Sequence, residues 1–267
     1  MNRFTEAAVC RKIAEGFRQI RSLHITTYAG YASYFLILSL FPGLVLILGL
    51  LRFAGLGGEN LLALIEGFIP QVLLPTVRSI VRLTYQNTTG TVLSLSAAAA
   101  LWSASRGIYG LIWGLNAVYG GPETRSYLRR RGVSIRYTFG FLLVLLLTLG
   151  LHVFGERFLG AYARELLPLL LLAVQTLLFA AMFRGLPDRD GGFRESLPGA
   201  ILGALGWLVF TDLYSVYIRR FARLTNVYGS VYAVALSMLW LYCCVSIVFY
   251  GALLNRLLAE RKSVNNL

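Results

Sequence analysis

Two histidines, three cysteines and twelve acids in 267 residues leave little from which to build a metal centre or an acid–base pair. His24 and His152 stand far apart, with no further His, Cys or acid at ligand spacing and no HxHxDH-like run. Cys10 lies in a polar N-terminal segment, whereas Cys243 and Cys244 sit inside an apolar run. That pattern is neither a disulfide framework nor a metal site, and the three read as small apolar residues. No Ser/His/Asp set, Walker loop or strand-borne GxGxxG appears. The expectation is a protein that is not an enzyme and holds no metal or cofactor. Charge is also scarce: 14% of residues are charged against 57% hydrophobic, far from the balance of a soluble domain. The chain reads as a membrane protein. Its net charge of +13 is segregated between hydrophobic spans, as membrane topology requires, so nucleic acid is not an expected partner.

The apolar material divides into runs. The expected fold is all-α, a polytopic membrane bundle of six transmembrane helices over about 28–51, 91–115, 137–154, 166–183, 197–217 and 228–254. Residues 1–27 form a basic N-terminal segment, in which Val9, Ile13, Phe17 and Ile20 recur at helical spacing as on a helix lying along a membrane surface. Residues 28–255 form the membrane domain, and 256–267 a charged tail. Between Arg52 and Gly90 the chain is apolar but interrupted by Gly57, Gly58, Pro70 and Pro75, which predicts two short amphipathic helices on the outer side. With the N-terminus inside, sixteen Lys and Arg lie on the inner side and eight on the outer, a bias that places both termini in the cytoplasm.

Three features mark candidate sites. Arg106 lies inside the second span, where an arginine costs about 2.5–3.5 kcal/mol while each Val, Leu or Ile returns about 0.3–0.6. Intramembrane charge marks function by default, and a stem that snorkels to the headgroups is the bland alternative. Asn116 ends the same span, and Asp212 is the one acid inside a span. Small residues supply packing faces: Gly107, Gly110 and Gly114 in the second span, and Gly199, Gly203 and Gly206 in the fifth, with Asp212 almost opposite the latter stripe. Pro42 predicts a kink near the middle of the first span. By depth, Arg106 and Asp212 differ by roughly 15 Å at 1.5 Å per residue, so a direct salt bridge is not expected.

Four stretches in order, LSLFP (38–42), LWSASRGIYGLIWGLNAVY (101–119), LPGAILGALGW (197–207) and YGSVYAVALSMLWLY (228–242), resemble the YihY/BrkB family of bacterial inner-membrane proteins, once labelled ribonuclease BN. The resemblance covers nearly the whole chain. It implies a multi-pass inner-membrane location and a link to virulence or serum resistance. Where that family closes with GAELN, this chain has GALLN at 251–255, so Leu253 replaces an acid. Two functions follow as expectations: a transporter or channel-like protein, or a non-catalytic membrane scaffold. Membrane lipids and a second copy of the chain are the partners this reading allows. Small molecule, lipid and ion all stay open as substrate.

Overall fold

The computed structural model describes residues 21–53, 55, 57–59, 62, 74–87, 89–159, 163–189, 191–221 and 225–265. Seven α-helices run through them: α1 Ile25–Phe53, α2 Leu74–Asn87, α3 Gly90–Tyr119, α4 Tyr127–Leu159, α5 Ala163–Gly185, α6 Phe193–Phe221 and α7 Thr225–Asn265. The surface helix expected from Val9, Ile13, Phe17 and Ile20 lies outside the described residues, as does most of the first of the two short amphipathic helices with its Pro70, of which Leu62 is described. The second is α2, with Val81 buried and Arg78 and Arg82 exposed.

The six-span expectation is corrected to four. Among the described residues, four helices are long and apolar enough to cross a membrane: Ile25–Phe53, Leu166–Gly185, Phe193–Ile218 and Val234–Arg261. The second expected span, in α3, falls short because Arg106 offsets most of what its Val, Leu and Ile contribute, and Gly, Ala and Ser add little. The C-terminal half of α3 is instead sheathed by other helices, with Ile112, Leu115 and Val118 fully buried. A helix covered by protein does not need a lipid-facing surface. The third expected span falls in α4, where half of the side chains of its apolar run lie outside the described residues, and it is not among the four.

The chain separates into two compact units. Unit 2, Phe35–Ala104, has a small core of Leu48, Leu62 and Val81 with Leu51 and Tyr85 against it. Phe35 and Trp102 meet edge to face, with centroids 6.0 Å apart. The helix α1 continues through Pro42, which is half-buried.

Unit 1 holds residues up to Tyr34 and from Ser105 onward. Its core joins Ala29 and Ala32 of α1, Ile112 and Leu115 of α3, Phe179 and Phe183 of α5, Ala200 and Ala204 of α6, and Phe249 and Ala252 of α7. In lipid there is no hydrophobic gain from bringing apolar helices together, so close packing and interhelical hydrogen bonds must hold them. Glycine supplies the first. A methyl group at Gly199 would overlap the Gly251 carbonyl oxygen, and one at Gly251 would lie 2.5 Å from the Gly199 carbonyl oxygen. The helices α6 and α7 therefore cross with their backbones touching. A methyl at Gly110 would stand 2.6 Å from the Tyr31 ring on α1, and one at Gly114 would run into Phe249 of α7. Gly206 faces Ile247 at 2.9 Å, whereas Gly203 leaves an ordinary 3.4 Å to Phe179.

Candidate functional site

The polar residues of unit 1 converge where α3 ends, α4 begins and α5 turns into α6. Gly120, at φ +74°, ends α3 in a left-handed cap. The Gly121 amide donates to the Asn116 carbonyl at 3.2 Å and the Gly120 amide to that of Ala117 at 3.3 Å, a Schellman pair that satisfies carbonyls the helix leaves open. Arg256 of α7 donates to the Val118 carbonyl at 2.8 Å, placing a cation at the negative end of the helix dipole.

Two asparagines fasten this end. Asn116, almost fully buried, donates from Nδ2 to Glu123 Oε2 at 2.6 Å and accepts from the Asp188 amide at 2.7 Å, joining the α3–α4 and α5–α6 connections. Asn255, equally buried, accepts from the Gly199 amide at 2.7 Å. Its Nδ2 donates to the Ser196 carbonyl at 3.1 Å and reaches the Tyr119 hydroxyl at 3.4 Å. Both partners on α6 flank Pro198, the helix's proline. Asn255 thus reads a stretch of backbone where the intrahelical ladder is interrupted.

Glu123 and Arg125 form a two-pronged ion pair, Nε to Oε1 and Nη2 to Oε2 at 2.7 Å each, with side chains only 2% and 8% exposed. Arg125 also donates to the Leu186 carbonyl at 2.8 Å and lies 3.7 Å from Asp188. Glu123 holds the Arg125 guanidinium protonated even more firmly than usual. Asp188 Oδ2 accepts from the Thr124 hydroxyl at 2.5 Å and amide at 2.8 Å. Those bonds, with Arg125 and Arg129 near, push its carboxyl below the ordinary aspartate range.

Beside this clip lies a polar cavity of about 360 Å³. Arg125, Arg129, Arg136, Arg184 and Arg189 line it together with Thr124 and Asp188. Arg129, Val133 and Arg136 share one face of α4, whose first turn carries no acid to offset the positive end of its dipole. A second cavity, of about 390 Å³, is an apolar groove of α5 and α6 lined by Leu169, Leu172, Ala173, Thr176, Leu177, Ile201 and Leu205.

The residues singled out from sequence are not brought into one site. Arg106 donates from Nη1 to the Tyr31 hydroxyl at 3.3 Å, and Asp212 lies exposed on α6; neither lines either cavity. Asn116 is a clip between connections. Gly107, Gly110, Gly114, Gly199 and Gly203 are buried and Gly206 half-buried. Sequence reasoning passed over Asn255, Glu123 and the arginine cavity. The signal for the cavity was present: both connections that build it lie on the same side of the expected topology, and both are basic. Among the described residues no group of three or more His, Cys, Asp or Glu is placed to hold a metal.

The family model described as Virulence factor BrkB matches residues 17–266. The chain belongs to the BrkB family. It is similar to the ribonuclease-like protein YfkH of Bacillus subtilis, 32% identical over 249 residues that make up 87% of this chain and 89% of that one. It is also similar to the UPF0761 membrane protein VV0203 of Vibrio vulnificus, 24% identical over 89% of this chain and 79% of that one. The UPF0761 membrane protein PBPRA3489 of Photobacterium profundum is 24% identical over 92% and 80%. No solved structure matches. As a BrkB-family chain with four apolar helices of spanning length among its described residues, this is a multi-pass membrane protein.

Proposed function

We propose that this BrkB-family protein is a transporter-type membrane protein that accepts an anion at the polar end of its helix bundle. The observation that carries the reading is the 360 Å³ cavity, in which five arginines face Asp188 and the partly neutralised Arg125 is held by Glu123. A cavity whose wall carries a large excess of one sign of charge, here five arginines to one aspartate, concentrates ions of the other. The excess of Lys and Arg on this side argues that it faces the cytoplasm, with both termini there and the inner membrane as the location. Arg106, ten residues before Asn116 and so about 15 Å further along α3, is the next cation along that helix that an anion leaving this end would meet. The test is flux: proteoliposomes loaded with labelled inorganic phosphate, and others carrying fluorescent phosphatidylglycerol, compared with protein-free vesicles. Protein-dependent movement of either supports transport.

One observation favours the second reading, a non-catalytic scaffold. Arg106 and Asp212 share no cavity, and both buried asparagines are committed to holding helices and connections together. Flux indistinguishable from protein-free vesicles in both assays selects it.

A further inference from the structure

We infer that the arginine cavity is a phosphate-recognition site in which Arg189 is the residue that reads the ligand. The inference rests on the anion reading above and deepens it by naming the ligand's chemistry. The Arg189 guanidinium stacks on the Tyr119 ring, 3.7 Å from its centroid, so the planar fork is fixed in place. Its Nε and Nη2 atoms are buried and have no hydrogen-bond partner. Two buried guanidinium donors left idle beside this cavity lack an acceptor. Gly191 leaves room for that group, since a methyl there would stand 3.1 Å from the Arg189 Cζ.

The surroundings suit a tetrahedral oxyanion. Arg129, Arg136 and Arg184 add charge around the same space, and Arg125 is pinned by Glu123 and the Leu186 carbonyl. The volume lies at the small end of ligand pockets, enough for one phosphate group with its glycerol or a few waters. Position is the second argument. Arg184 and Gly185 close the apolar helix Leu166–Gly185, so the cavity opens at the depth where phospholipid phosphates lie. The shared chemistry is a phosphate monoester or ion, and its source is either a lipid headgroup or a soluble phosphate.

The experiment uses the full-length protein in nanodiscs. In phosphatidylcholine discs, calorimetric titration with inorganic phosphate is compared with sulfate and chloride. In parallel, native mass spectrometry counts phosphatidic acid retained from discs doped with it. Arg189→Gln should lower the affinity for whichever ligand binds by at least about tenfold, the loss expected for a bidentate charged contact. Arg129→Gln, at an exposed position, should lower it severalfold with no loss of thermal stability, and Arg261→Gln in the exposed tail should leave it unchanged. Phosphate saturating at one site in phosphatidylcholine discs identifies the soluble source. Retained phosphatidic acid that phosphate does not displace identifies the headgroup. Binding that survives both Arg189→Gln and Arg129→Gln overturns the inference, as does equal affinity for phosphate and chloride together with no retained phosphatidic acid. Absent flux with intact, Arg189-dependent binding overturns transport alone.

Discussion

Gly199→Ala is the smallest change that tests how the bundle is held. The added methyl group would overlap the Gly251 carbonyl oxygen and lie 2.6 Å from Asn255 Nδ2, and the first of these is backbone, which cannot rotate aside. The helices α6 and α7 must separate. Overpacking of this kind costs about 1–3 kcal/mol. Separation also stretches the bonds from Asn255 to the Gly199 amide and the Ser196 carbonyl, each worth about 0.6–1.7 kcal/mol between membrane helices. Alanine returns up to about 1 kcal/mol of helix propensity over glycine, so the losses win. Gly203→Ala is the internal control: the same propensity gain applies, and its methyl would find ordinary contact with Phe179 at 3.4 Å. Melting of the purified protein in detergent should show Gly199→Ala several degrees below native, at about 2–4 °C per kcal/mol for a chain of this size. Gly203→Ala should match native or exceed it. Equal melting temperatures for the two variants would refute the backbone crossing and leave the glycine stripe without a structural role.

Four further outcomes follow from the same geometry. Asn255→Ala should destabilise by about 1–3 kcal/mol, read as a lowered melting temperature, because the Gly199 amide is left buried and unpaired. Asp188 gives a pH dependence of known sign: its carboxyl is held below the ordinary range, so its contribution is present above the unfolded aspartate pKa and is lost as pH falls through the lower folded value. Proteolytic nicking of the 120–126 connection should therefore rise only in acid below the normal aspartate range, whereas Asp188→Asn should be nicked faster at neutral pH and show no such step. Tyr31→Phe removes the acceptor of Arg106, so a packing role predicts a lowered melting temperature and a ligand role predicts altered flux at unchanged stability. Arg106→Lys should fold and lose part of the flux, since lysine carries the charge without the planar fork.

The helical pattern was legible because apolar runs of spanning length leave a bundle of helices as the outcome. The glycine stripes were legible in kind but not in partner. Helical spacing puts Gly199, Gly203 and Gly206 on one face, yet only Gly199 meets backbone, because the helices diverge from that crossing. One of the two spans lost was overestimated from the same cause that made Arg106 conspicuous: a helix with a central arginine and many small residues gains little from lipid, and its C-terminal half is covered by protein instead. The polar clip was not legible. The Asp188 amide and Asn116 are 72 residues apart, the Gly199 amide and Asn255 are 56 apart, and nothing about an asparagine in GALLN says which backbone it will bind.

Leu253 shows what this chain does without. It stands where the resemblance led one to expect an acid, and it belongs to the buried core at 8% exposure beside Ala252 and Phe249. A carboxylate taken to that depth costs several kcal/mol unless a cation meets it. The buried acid at this end, Glu123, is already bound on both oxygens by Arg125 and on one by Asn116, so it has no freedom to take a second duty. Asp188 is bound by Thr124 and lies near Arg125. With these two carboxylates engaged, the charge left unsatisfied around the cavity is positive, and Arg189 holds the idle donors. On the proposed reading the local chemistry is that of receiving a negative group, and a mechanism that passes protons through a free carboxylate finds no support in Glu123 or Asp188.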